Sequence, residues 1–247
     1  MKTTISFDQF LHPYEDENIE LLFLPSPQFP ESNGTVVYIH GFCNFGAWDM
    51  LFMAQHLVRQ GYNVILPSQC GFGYSNGPRD YYGPKTISGI VDGLKEVIEE
   101  KELNSHRIAV YGLSRGASVA ALLAMRHPHF FKAAIFQAGA YDLRKYYEWN
   151  GKDEGINKNI EKEAGLSDEA FRERSAIFEA EKISCPVLIL HGAEDDNIPP
   201  SLAVEFAEKL KKFGKDCTLH LVPGGGHQIS GPELRREHMF PFLEEKL

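Results

Sequence analysis

The 247 residues carry 34 acidic against 25 basic side chains, a net charge of −9, with no basic run, which argues against nucleic acid or an anionic membrane surface as partner. Hydrophobic content of 43 % and charged content of 24 % are ordinary for a globular protein, and the length suits one large α/β domain spanning residues 1–247. No apolar run approaches the roughly 18 residues needed to cross a bilayer, and the first ten residues lack a signal-peptide core, so a cytoplasmic protein is expected.

Residues 1–18 are polar and weakly periodic and read as an irregular lead-in. Residues 19–24 suit an edge strand, closed off by Pro25, Pro27 and Pro30 and by the turn pair Asn33-Gly34. Residues 35–40 are almost wholly apolar and predict a central strand running into His40-Gly41-Phe42-Cys43. A helix over about 47–60, stopped by Gly61, leads to a strand at 62–66 and then to the glycine-rich stretch 67–75. An amphipathic helix follows at about 86–100, with Ile87, Ile90, Val91, Leu94, Val97 and Ile98 on one side.

The apolar run 107–111 predicts a buried strand, and the Ala-, Leu- and Val-rich run after it predicts a helix ending at His127-Pro128. Another short strand is expected at 132–137. Residues 141–182 are richer in charged and aromatic side chains and read as a lid or cap insertion of short helices. Strands at 185–190 and 217–222 enclose a helix capped by Ser201 and stopped by Gly214, and a last helix covers about 232–247. Strands alternating with helices imply one mostly parallel sheet with helices on both faces.

Gly112-Leu113-Ser114-Arg115-Gly116 stands between a strand and a helix, the G-x-S-x-G pattern of a nucleophile elbow. A serine there needs a base to take its proton and an acid to orient that base. Loops after later strands supply both, in the order Ser114, Asp195, His227 expected for such a sheet. Glu194 and Asp196 compete with Asp195 as the acid. The helix beginning at the serine favours negative charge beside it, and the N–H of Arg115, the residue after the nucleophile, is one oxyanion donor.

The chain resembles the α/β-hydrolases from about residue 35 onward. Its C-terminal half is most similar to the catalytic domain of prolyl oligopeptidase-type serine peptidases and related esterases. The family's H-G-x-x-D-x-x-V-P pattern corresponds to His191-Gly192-Ala193-Glu194-Asp195-Asp196-Asn197-Ile198-Pro199, which places the acid at Asp195. Its glycine-rich loop corresponds to residues 71–75, although the arginine usual before the first glycine is Cys70 here. The resemblance also implies that the N–H of Phe42 is the second oxyanion donor, and it comes without the family's propeller domain.

The expected activity is therefore that of a serine hydrolase acting on a carboxylic ester through an acyl-enzyme. The alternatives are a small prolyl oligopeptidase-like peptidase or aminopeptidase, a thioester hydrolase, and a catalytically silent α/β-hydrolase serving as a receptor. The substrate is expected to be a small ester or short peptide, and no metal or organic cofactor is implied. Phe42, Phe45, Trp48, Tyr146, Tyr147 and Trp149 are candidates to line an apolar pocket. His40 and His191 read as structural rings bonded to nearby backbone. Cys43 reads as a packing thiol, and Cys43, Cys70, Cys185 and Cys217 have neither zinc nor disulfide spacing. Oligomeric state is not legible.

Overall fold

A computed structural model describes residues 6–27, 34–151, 154–229 and 231–247. The strands are β1 (Asp8–Tyr14), β2 (Glu17–Leu24), β3 (Thr35–Ile39), β4 (Asn63–Pro67), β5 (Ile108–Leu113), β6 (Ala133–Gln137), β7 (Val187–Gly192) and β8 (Cys217–Val222). They form one sheet in the order β1-β2-β4-β3-β5-β6-β7-β8. Strand β2 is antiparallel to β1 and β4, and the pairings from β4 through β8 are parallel.

Helices α1 (Leu51–Arg59), α2 (Pro84–Glu100), α3 (Arg115–Arg126), α4 (Leu143–Trp149), α5 (Glu154–Glu163), α6 (Asp168–Glu173), α7 (Pro200–Lys212), α8 (Pro232–Leu234) and α9 (Phe240–Lys246) cover the sheet. Side chains along each strand alternate between its faces. Val37 and Ile39 thus enter the core under α2, α3 and α7, while Val36 and Tyr38 enter the core under α1 and α9. This is the expected α/β-hydrolase architecture. Among the described residues no helix is long and apolar enough to cross a membrane.

Four local expectations need correction. Residues 8–14 are not irregular but form edge strand β1, so residues 19–24 lie in an interior strand, β2, and not at the edge; the single buried side chain of β1, Phe10, leaves almost no alternation to read. Pro13 fits there because an edge tolerates a missing donor. Ser201 is not a cap: α7 starts at Pro200, a residue that supplies the first-turn geometry without an N–H to satisfy. The last helix is broken by a π turn at Arg235–Met239, next to Pro241, which has no N–H to offer the carbonyl of Glu237. Pro30 and Asn33 lie outside the described residues, as do 152 and 153 within the expected insertion.

Candidate active site

Strand β5 turns sharply into α3 at Ser114, whose φ of 55° and ψ of −124° are costly for a side chain, by about 1–3 kcal/mol. The turn is held because its neighbours fit no side chain. A Cβ on Gly112 would lie 2.1 Å from the Gly116 carbonyl oxygen, and one on Gly116 would lie 2.3 Å from that of Ile39. Hydrogen bonds from Ser114 N to the Gln137 carbonyl and from Ala117 N to the Ser114 carbonyl, each 2.8 Å, fix the backbone on both sides.

Asp195 lies in the turn between β7 and α7, and His227 follows β8. Asp195 Oδ1 accepts the N–H groups of Asn197 and Ile198, both at 2.9 Å, which anchors the carboxylate. Its Oδ2 accepts from His227 Nδ1 at 2.9 Å, so Nε2 is left to receive the Ser114 hydroxyl, also at 2.9 Å. Burial pushes the Asp195 pKa up, but hydrogen bonds from His191, His227 and Ile198 outweigh it and hold the carboxyl well below the usual range. Glu194 and Asp196 are exposed, whereas Asp195 is buried. The two loops are also joined by backbone, Ala193 N to the Val222 carbonyl at 2.9 Å and Glu194 N to that of Gly225 at 2.8 Å.

His191 bonds backbone as expected, through Nε2 to the Ile198 carbonyl at 3.0 Å. It also does what the sequence did not signal: the same nitrogen lies 3.1 Å from Asp195 Oδ2, with both side chains fully buried. Asp195 is therefore held by two imidazoles. No helical spacing brings His191 and Asp195 together, since one is in β7 and the other in the turn after it.

A cavity of about 430 Å³ opens beside Ser114 and His227. Of the six aromatic residues expected to line a pocket, Phe42 and Tyr146 do so. Phe45 is 64 % exposed, and Trp48 turns its indole N–H to the buried Glu20 carboxylate at 2.7 Å. Tyr147 donates its hydroxyl to Glu161 at 2.7 Å, and Trp149 stacks on Tyr146 and is 46 % exposed. Tyr81 and Tyr82, which the sequence did not single out, line the cavity together with Met50, Leu113, Ile156 and Ile198, and Ser118, Asn159, Asn197 and Gln228 add polar groups to a mostly apolar wall. Its wall includes Arg115 and, among the described residues, no aspartate or glutamate. Cys43 also lines it, with burial pushing its thiol up to about 12, far from a thiolate.

The N–H groups of Phe42 and Arg115 both lie at this end of the sheet, one on the loop after β3 and the other at the start of α3. The Arg115 side chain is a further feature, missed because the sequence pattern concerns its backbone alone. It is 5 % exposed, paired with Glu163 of α5 at 3.2 Å, and lies over the ring of Tyr81 at 4.5 Å. The glycine-rich loop has a substitute for the arginine missing at Cys70. Arg79 donates to the Gly71 carbonyl at 3.3 Å and covers the Phe72 ring at 4.0 Å.

Residues 48–247 match the model of the prolyl oligopeptidase family. The chain is 25 % identical over 225 residues to a Caenorhabditis elegans dipeptidyl peptidase family member 6, covering 84 % of this chain and 29 % of that protein. An acylamino-acid-releasing enzyme of Oryza sativa subsp. japonica is 26 % identical over 195 residues, covering 72 % and 25 %. The chain thus spans less than a third of the length of these curated relatives. Among solved structures, the Pyrococcus horikoshii acylaminoacyl peptidase superposes with a TM-score of 0.80 at 22 % identity, over 99 % of this chain and 42 % of that one. A Pyrococcus furiosus esterase superposes at 0.76 and 21 % identity, over 98 % and 91 %.

Proposed function

Since the chain belongs to the prolyl oligopeptidase family, we propose that it is a serine hydrolase cleaving a carboxylic ester through an acyl-enzyme. The observation that carries this reading is the continuous chain of 2.9 Å contacts from Ser114 Oγ through His227 to Asp195, at the edge of the 430 Å³ cavity. Ser114 Oγ attacks the ester carbonyl and passes its proton to His227 Nε2. Asp195, ionised far into the acid range, keeps the proton on Nδ1 and stabilises the imidazolium. The tetrahedral oxyanion is received by the N–H groups of Phe42 and Arg115, aided by the positive end of α3. His227 then protonates the departing alcohol, and water repeats the sequence on the acyl-enzyme.

The segment from α4 through α6 acts as a cap within a single domain, because Tyr146, Ile156 and Asn159 turn from it into the cavity. An aminopeptidase must hold a free ammonium group, and no described acid faces this cavity. Neutral acyl groups fit the wall better. The second reading is a peptidase for blocked amino termini, favoured by the same lack of acid and by the relatives that release acylated amino acids.

Turnover of p-nitrophenyl esters of increasing acyl length, set beside free and N-acylated aminoacyl p-nitroanilides, separates these readings. Ester turnover that falls by three orders of magnitude or more in Ser114→Ala is the expected outcome, on the scale of a lost triad member, about 10³–10⁶. Efficient cleavage of N-acylated anilides moves the assignment to the peptidase, and turnover that survives the substitution removes Ser114 from the mechanism.

A further inference from the structure

The backbone role proposed for Arg115 leaves its side chain unexplained, although that side chain is buried against the site. Its Nε donates to Gln69 Oε1 at 2.9 Å and its Nη1 to Glu163 Oε2 at 3.2 Å. Gln69 reaches on to His40 twice. Its Nε2 donates to the His40 carbonyl at 2.9 Å, and its backbone N–H donates to His40 Nε2 at 3.0 Å. Because Nε2 accepts, the proton of this ring sits on Nδ1, which donates to the Gly41 carbonyl at 2.7 Å. The Cys43 thiol lies against the same nitrogen at 3.2 Å. Burial keeps the ring neutral, with its pKa lowered to about 4.

The Gly41 carbonyl and the Phe42 N–H belong to one peptide plane. Holding the carbonyl therefore aims the N–H. Hydrogen bonding to the carbonyl also polarises the amide and strengthens its N–H as a donor. At the other end, the clamped Arg115 side chain restrains the residue whose own N–H starts α3.

We propose that Glu163, Arg115, Gln69 and His40 form a positioning network that sets both oxyanion donors from the side chains behind them. This rests on the serine-hydrolase reading and deepens it. The network starts on α5, the helix whose Ile156 and Asn159 line the cavity, and ends on the peptide that meets the oxyanion. The four side chains act through the backbone they hold: of these residues only Arg115 meets the oxyanion, through its N–H and not its guanidinium.

The test is Gln69→Met, which keeps the bulk and the backbone N–H but removes the links to Arg115 and to the His40 carbonyl. With a p-nitrophenyl ester, kcat is expected to fall about tenfold while KM stays within about twofold, less than the loss of a whole oxyanion donor. The inhibition constant of an aryl boronic acid, which places an oxygen in the same hole, is expected to rise by a matching factor. The acidic limb of the kcat/KM profile stays where it is in the wild type, because the Ser114, His227 and Asp195 contacts are untouched. Glu163→Gln, nearly isosteric and remote from the reacting atoms, gives the same pattern at about threefold and decides the question if Gln69→Met does not fold.

Unchanged kcat in a folded variant, or a lowered kcat with unchanged boronate affinity, overturns the network. A displaced acidic limb overturns it as well, since the defect then lies in the triad. Absence of Ser114-dependent turnover in the wild type overturns the hydrolase reading and the network together.

Discussion

His40 and Asp195 both resist protonation in the fold, and their effects on stability fall in successive pH windows. The His40 ring is neutral down to about pH 4, whereas in the unfolded chain it takes up a proton near 6.5. The unfolded state therefore binds more protons between these values. Stability is full above about 6.5 and falls as the pH drops towards 4, by roughly 3 kcal/mol for this group. The Asp195 contribution is present above the ordinary carboxylate pKa of about 3.9 and is lost only as the pH falls through its lower folded value. Urea midpoints between pH 7 and pH 4.5 are expected to decline, and His40→Gln is expected to be less stable at pH 7 with a flatter decline. An equal slope in both proteins removes His40 as its source.

At the scale of elements, α3 and α5 are tied by the pair Arg115–Glu163, with the two side chains 5 % and 6 % exposed. Removing one partner strands a buried charge, so Glu163→Ala is expected to cost about 3–5 kcal/mol in urea unfolding. Glu163→Gln, which retains a hydrogen-bond acceptor, is expected to cost clearly less. This tie also marks where legibility in the sequence stops. Ser114, Asp195 and His227 stand in short local patterns after strands, and chain order relates them. Arg115 meets Gln69 and Glu163 across separations of 46 and 48 residues, and no local pattern announces either contact. The pocket aromatics fail for a related reason: Trp48 and Tyr147 have polar tips that are claimed by Glu20 and Glu161, and composition is silent on where such tips go. Edge strand β1 was hidden by its nearly solvent-facing sides.

Across the whole molecule, the C-terminal helix closes the second core. Leu243 is fully buried there, and Arg107 Nε donates to the Leu247 carbonyl at 2.6 Å, tying the last residue to the approach of β5. Deleting residues 240–247 is expected to lower stability by at least about 2 kcal/mol, the scale of one large apolar side chain returned to water. Ester turnover per folded molecule is expected to change little, because α9 lies away from the cavity. A loss of specific activity in the folded fraction contradicts that separation.

The backbone bonds between the loops carrying Asp195 and His227 have a practical consequence. Acid and base are stitched to each other through Ala193, Glu194, Val222 and Gly225, with no help from α4, α5 or α6. In the proposed mechanism this divides labour between an inherited engine and an exchangeable selector. Replacing the helical segment by another of similar span is then a grafting problem, in which the acyl group accepted changes while proton transfer needs no retuning. For the oxyanion network, the part of the graft to be copied is the carboxylate at position 163, which meets Arg115.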